Sequence, residues 1–140
     1  MIDDRLGDRF RPQGSWLDEL GLVFDEQSGE RMTAHLDLDQ RHHTPWGVVH
    51  GGVYTTIVET IASVGGSLAV IGREEFAVGV ANSTDFFRSI DSGRVDVVAV
   101  PVHQGRTQQV WTVDITRAGD GKLVAQGRLR LQNVPLSRAR

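Results

Sequence analysis

The sequence predicts an α+β domain in which one long apolar helix is wrapped by a curved antiparallel sheet of about six strands. Three observations carry that expectation. His50 to Gly72, HGGVYTTIVETIASVGGSLAVIG, reads as a single helix with one charged side chain, Glu59. Four strand-like runs with turn signals between them follow it, and two alternating runs precede it. A helix this apolar must be covered on several sides and a curved sheet covers one, so a second copy of the chain is the simplest cover for the remainder.

Taken in order, residues 1–13 mix both charges and are broken by Gly7 and Pro12, which predicts a flexible N-terminal arm. Residues 14–135 form the single domain, and 136–140 a basic tail. Ser15 is placed to cap a short helix through Trp16, Leu17 and Leu20, with Gly21 as its stop. Leu22 and Phe24 alternate before the turn Gln27-Ser28-Gly29-Glu30, and Met32, Ala34, Leu36 and Leu38 alternate after it, which predicts a hairpin with one apolar face. In Gln40 to Val49, Pro45 and Gly47 oppose regular structure, so this stretch is read as a solvated loop that delivers the chain to the long helix. Beyond Gly72 the period changes to that of strands: Ala77 to Arg88, Arg94 to His103, Thr107 to Arg117 and Lys122 to Asn133 form a meander. Within it Val95, Val97 and Ala99 share one face, and Leu129 and Leu131 oppose Arg128 and Arg130.

A chain of 140 residues with 39% hydrophobic content supports one core. Its net charge of -3 offers no basic excess, so nucleic acid is not an expected partner. The chain has no Cys and MIDDRLGDRF contains no apolar run, which together predict no signal peptide and a reducing, cytoplasmic setting. Gly51 to Gly72 has the length of a membrane span, but its Glu59, three Thr, two Ser and five Gly favour a buried helix and no membrane association.

The chemistry gathers on that helix. A lone carboxylate in an apolar helix is costly unless it is paired, hydrogen-bonded or protonated. Thr55, Thr56, Glu59 and Ser63 share a stripe at helical spacing, so Glu59 is either half of an ion pair with an arginine across an interface or a reacting group. His50-Gly51-Gly52 puts free backbone N–H groups at the helix start, suited to an anion or a carbonyl oxygen, or only to a tight entry. Gly51 and Glu59 lie eight positions apart, roughly 12 Å along the axis. One carbonyl cannot touch both, so joint action needs two helices related by a two-fold axis. Metal binding by His42, His43 and His50, with Glu59, is the competing use, and their spacing matches no metal motif.

These residues carry a resemblance. WGVVHGGVYTTIVETIAS, FFRSIDSGRV and VHQGRTQQVW, in that order, resemble the hotdog-fold acyl-CoA thioesterases of the phenylacetate-degradation type, close to 4-hydroxybenzoyl-CoA and 1,4-dihydroxy-2-naphthoyl-CoA thioesterases. The likeness runs from about Leu22 to Val134. It implies that Glu59, nine positions after His50, is the catalytic carboxylate, acting as nucleophile or general base, and that the Gly51 N–H polarises the thioester carbonyl. His50 would shape that end of the site, and Ser63 would position the carboxylate or the water. Where the family has Gln or Asn, this chain has Thr44, which supplies no amide; Thr44 itself, His43 or a water would have to substitute. The resemblance further implies a homodimer or homotetramer, no metal and no cofactor. A pantetheine tunnel would run between subunits, with a nucleotide end near Arg88, Arg106 and Thr107 and an acyl pocket flanked by Phe86 and Phe87.

The expected activity is hydrolysis of an aromatic or medium-chain acyl-CoA to the free acid and CoA. The alternative is a non-catalytic acyl-CoA-binding or sensing protein on the same fold, which the Thr44 departure supports. A hotdog dehydratase needs a histidine-to-acid spacing that this chain lacks.

Overall fold

The computed structural model describes residues 4–7 and 16–139. The expected cap Ser15 lies outside the described residues. Within the N-terminal arm, Asp4–Leu6 forms a 3-10 turn whose Leu6 is buried in the core cluster.

Helix α1, Trp16–Leu20, ends at Gly21, whose φ of 79° is a left-handed conformation that glycine adopts without strain. Strands β1, Val23–Gln27, and β2, Met32–Leu38, form the hairpin, closed by the Ser28 N–H donating to the Arg31 carbonyl. Met32, Ala34, Leu36 and Leu38 are all buried, as their alternation requires. Helix α2, Gly51–Val70, is followed by strands β3, Glu75–Phe86; β4, Gly93–Gln104; β5, Gln108–Arg117; and β6, Leu123–Pro135.

The six strands form one antiparallel sheet in the order β1-β2-β4-β5-β6-β3. Consecutive strands pair within β1-β2 and β4-β5-β6, but β3 does not join the expected meander: the chain leaves β2, runs along the helix, forms β3 at the far edge beside β6, and crosses back to β4 beside β2. The helix, about 30 Å long at 1.5 Å per residue, packs on the sheet's inner face through Ile57, Val58, Ile61 and Ala62, each 0% exposed. It thereby joins the core made by Val95, Val97, Ala99, Trp111, Val113, Ile115, Leu129 and Leu131. This is the hotdog arrangement, one central helix held in a curved sheet.

Two features fix how close the helix lies. Gly65 faces Trp111 and Met32, both 0% exposed; a Cβ at Gly65 would sit 2.6 Å from the Trp111 ring. Beside it, the fully buried Gln109 donates to the Gly66 carbonyl (3.0 Å) and to Asn133 Oδ1 (2.8 Å) and accepts from Trp111 Nε1 (2.9 Å). A satisfied buried amide of this kind fixes the helix against β5 and β6, because any sliding would leave it unpaired.

Edge strand β3 is 12 residues long and leaves Val78 and Val80 exposed. Such an edge offers a row of backbone donors and acceptors to another strand.

Candidate active site

The approach to α2 is more ordered than its polar composition suggested. Gln40–His42 is a 3-10 turn capped by Asp39, and His42 is buried rather than solvated. His42 Nδ1 accepts from the Asp39 N–H (3.1 Å), which places the ring proton on Nε2, where it donates to the Leu20 carbonyl (2.9 Å). Both nitrogens are committed to backbone, so His42 is a structural tie between α1 and the loop. His43 Nε2 donates to the Asp91 carbonyl (2.6 Å), fixing the loop to the turn after β3. Among the described residues, no three His, Asp or Glu side chains come together.

Thr44 opens the turn Thr44-Pro45-Trp46-Gly47. Its hydroxyl accepts from the Trp46 N–H (3.2 Å), and its backbone N–H donates to the Val48 carbonyl (2.8 Å). The turn returns the chain through the Val49 N–H, bonded to the Ile90 carbonyl (2.9 Å), and the His50 N–H, bonded to the His42 carbonyl (2.8 Å).

His50 is the N-cap of α2. Its Nδ1 accepts from the Gly52 N–H at 2.8 Å, so a neutral ring carries its proton on Nε2. The Val53 N–H is taken by the His50 carbonyl (2.9 Å). Among the described residues, nothing accepts a hydrogen bond from the Gly51 N–H. It is thus the free donor at the positive end of a 20-residue helix. The Phe86 ring lies directly over this glycine: a Cβ on Gly51 would come within 2.8 Å of Phe86 Cε2. Phe86 also meets Tyr54, with ring centroids 6.0 Å apart. Both Phe86 and Phe87 are more than half exposed, 53% and 55%, so neither is core. Phe86 is the one placed at the helix start.

Along the helix, the polar stripe divides into committed and uncommitted groups. The Thr55 and Thr56 hydroxyls both donate to the Gly52 carbonyl (2.9 and 2.7 Å), and Thr60 donates to the Thr56 carbonyl (2.7 Å). These hydroxyls serve the helix itself. Glu59 and Ser63 remain. Glu59 is half-buried, and among the described residues no cation pairs with it. Its Oε2 accepts instead from Asn82 Nδ2 (3.1 Å), and the same amide donates to the Thr55 carbonyl (3.1 Å). Its Oε1 occupies the space over Gly79 that a side chain would fill. Asn82 Oδ1 is in turn fixed by the Thr84 hydroxyl (2.8 Å). Sequence reasoning missed Asn82. Its one signal was an amide in the interior of a strand run, where Asn is depleted.

The pair register shows why β3 reaches these points. Asn82 opposes Leu129 and Phe86 opposes Ala125, both buried on the inner face, so Asn82 and Phe86 face the helix. The same register separates the arginines grouped by the sequence reading. Arg88 follows β3 at the Gly51 end, where its N–H lies 3.3 Å from the Val124 carbonyl. Arg106 and Thr107 lie at the other end of the sheet, where Asn133 Nδ2 donates to the Arg106 carbonyl (3.2 Å) and the Asn133 backbone N–H donates to the Thr107 carbonyl (2.8 Å). Within one chain they form no common cluster, because β3 spans the whole edge between them.

A family model described as the thioesterase superfamily matches residues 47–124. A Mycobacterium tuberculosis protein that carries an esterase name is 47% identical over 83% of this chain and 84% of its own length. Its solved structure superposes with a TM-score of 0.81, at 44% identity, over 84% of this chain and 94% of that one. The 1,4-dihydroxy-2-naphthoyl-CoA hydrolase of Escherichia coli is 32% identical over 84% of this chain and 85% of its own. The proofreading thioesterase EntH of Cronobacter sakazakii is 31% identical over 73% and 74%.

Proposed function

The chain belongs to the thioesterase superfamily, and on that premise we propose that it hydrolyses an acyl-CoA thioester, with an aromatic or medium-chain acyl group, to the free acid and CoA. The observation that carries the proposal is Glu59: a carboxylate in an apolar helix, held by the Asn82 amide and unpaired with any cation among the described residues. In this reading the Gly51 N–H donates to the thioester oxygen and stabilises the negative charge that develops there. Glu59 either takes a proton from the attacking water or attacks the carbonyl carbon itself. In the first route the water oxygen bonds to carbon, the C–S bond breaks, and the CoA sulfur leaves with the proton. In the second, an acyl-carboxylate anhydride forms as CoA leaves, and water then opens it. His50 holds the helix start and Ser63 flanks the carboxylate one turn on. A thioester is already activated, so this scheme calls for no metal or cofactor.

The two groups come from different copies. Phe86 is level with Gly51, and Gly79 to Asn82 are level with Glu59. An antiparallel second β3 brings one copy's Gly51 level with the other's Glu59 when the two-fold axis crosses β3 midway between those levels, near Ser83. The same operation carries Arg88 of one copy toward the end of β3 where the other holds Arg106 and Thr107, which suits a nucleotide diphosphate. The open edge and the exposed Val78 and Val80 support this pairing, as a dimer or a dimer of dimers. A chain without cysteine fits a cytoplasmic setting.

Following thiol release from a panel of aroyl- and medium-chain acyl-CoAs tests the proposal. Release from at least one member is expected, and Glu59→Gln is expected to cut it by roughly 10²- to 10⁴-fold. That variant keeps an acceptor for Asn82 and should unfold at the parent temperature. No release from any member, or unchanged release from the variant, overturns the proposal. The second reading, an acyl-CoA binder without turnover, draws on Thr44, whose hydroxyl is already engaged by Trp46. Tight calorimetric binding with no thiol release would establish it.

A further inference from the structure

Strand β3 gives the two oxygens of the Glu59 carboxylate different surroundings. Oε2 accepts from Asn82 Nδ2 at 3.1 Å. No group among the described residues donates to Oε1, which lies over Gly79 where any side chain would meet it. The Asn82 amide is itself held at both ends. Its Nδ2 faces two acceptors, Glu59 Oε2 and the Thr55 carbonyl (3.1 Å), and its Oδ1 accepts from the Thr84 hydroxyl (2.8 Å). A flipped amide would set its oxygen against both acceptors, so the orientation is fixed. Thr84 lies two residues beyond Asn82, on the same face of β3. It opposes Gly127 on β6, where a Cβ would come within 2.7 Å of Thr84 Oγ1. The run from Glu59 through Asn82 to Thr84 is thus seated between two positions without side chains, Gly79 and Gly127.

We propose that Thr84 is a positioning residue for Glu59: its hydroxyl fixes the Asn82 amide, the amide fixes Oε2, and Oε1 is thereby the oxygen presented to the water or to the thioester carbon. The inference rests on the thioesterase reading and assigns its reacting oxygen. Glutamate is a long side chain whose rotamers spread the carboxylate over several positions, and a reacting group misplaced by about 1 Å can cost about 10²-fold in rate. Anchoring one oxygen narrows that spread and leaves the other to take the proton or to attack. The Thr55 bond ties the same amide to α2, so strand and helix hold the carboxylate together. Thr84 touches no reactant. It acts through Asn82, so its contribution exists only while that amide is present.

The test is a double-mutant cycle on thiol release from the best acyl-CoA, with Thr84→Val, Asn82→Ala and the two combined. Thr84→Val keeps the β-branched shape and removes the hydroxyl. It should lower kcat by about 2- to 10-fold with KM little changed, and Thr84→Ser should restore the parent value. In the Asn82→Ala background, Thr84→Val should have no further effect on kcat. An unchanged kcat in Thr84→Val overturns the inference, as does failure of Thr84→Ser to restore it. An equal fall in both backgrounds also overturns it, because the hydroxyl would then act without the amide. Where Thr84→Val proves unstable, Thr84→Ala reads the same cycle, since it too lacks the hydroxyl and cannot crowd Gly127. A parent that releases no thiol from any acyl-CoA sinks the thioesterase reading instead. NMR of the Asn82 side-chain amide then still decides the relay: Thr84→Val and Glu59→Gln should each shift its resonances, and a resonance that either variant leaves in place overturns it.

Discussion

Asn82→Ala is the sharpest probe of the site, because it removes the one described side chain that holds Glu59 without touching Glu59. A single amide nitrogen makes both bonds, 3.1 Å to Glu59 Oε2 and 3.1 Å to the Thr55 carbonyl. A hydrogen bond to a charged group contributes about 1.5–3 kcal/mol, and the exposure of Asn82 in the single chain argues for the lower end. If the lost restraint is felt in the transition state, about 1.4 kcal/mol corresponds to a tenfold fall in kcat. The fold loses about 1.5 kcal/mol, or about 5 °C in Tm for a domain of this size. Steady-state thiol release from the best acyl-CoA gives kcat and KM separately, and thermal unfolding gives the second number. The expected pattern is a tenfold lower kcat with KM little changed. A fall in Tm with kcat intact would refute the reasoning, since Asn82 would then tie β3 to α2 without positioning the carboxylate.

Gly65→Ala should destabilise despite the helix propensity of alanine: the gain of about 1 kcal/mol is outweighed by overpacking against Trp111 and Met32, about 1–3 kcal/mol or more. Gly72→Ala, where a Cβ meets nothing within 4 Å, is the control, and its unfolding midpoint should hold or rise in denaturant titrations. Thr44→Asn should keep the turn, since an Asn Oδ1 can accept from the Trp46 N–H as the Thr hydroxyl does. Its Nδ2 then becomes available to water or the thioester oxygen, and kcat is expected to rise, by about tenfold at most. Tyr54 is the chain's single tyrosine, so phenolate absorbance reports it alone. Its folded-state pKa is raised, so its contribution to stability is present below the ordinary value of 10.0 and is lost as pH rises through about 12. Phenolate should therefore appear near pH 12 or with alkaline unfolding. Titration around 10 in the folded protein would show the ring to be solvated.

Most of the fold was legible because it rests on periodicity. Met32 to Leu38, Val95 to Ala99 and Leu129 to Leu131 alternate in sequence and are alternately buried in the sheet. The geometry of the candidate site was legible where it is local: His50 at the start of α2, the free Gly51 N–H and Glu59 lie on one continuous stretch. What escaped depends on pairings between distant segments. Asn82 reaches Glu59 across 23 residues of sequence, and only the antiparallel return of β3 along α2 sets that contact. His42 looked solvated because its second partner, the Leu20 carbonyl, lies 22 residues back; its first, the Asp39 capping box, was local and could have been read. Arg88 and Arg106 both lie beside turns in the sequence, and nothing local shows that those turns occupy opposite ends of the sheet.

That separation bears on the assembly. In one chain, Gly51 and Glu59 face different points along the helix and Arg88 stands far from Arg106, so the groups the resemblance names are dispersed. Rotation about a two-fold axis crossing β3 near Ser83 would bring both sets together, and it would do so with an edge strand whose outer side the fold leaves open. Two independent mismatches resolved by a single operation are a stronger argument for β3 pairing than the exposed Val78 and Val80 alone, because exposure says that an edge is open and not in which register it closes. The register is then the testable quantity: a cysteine introduced at Ser83, in a chain that has no other, should cross-link to its counterpart in the second copy, while one at Val78 should not.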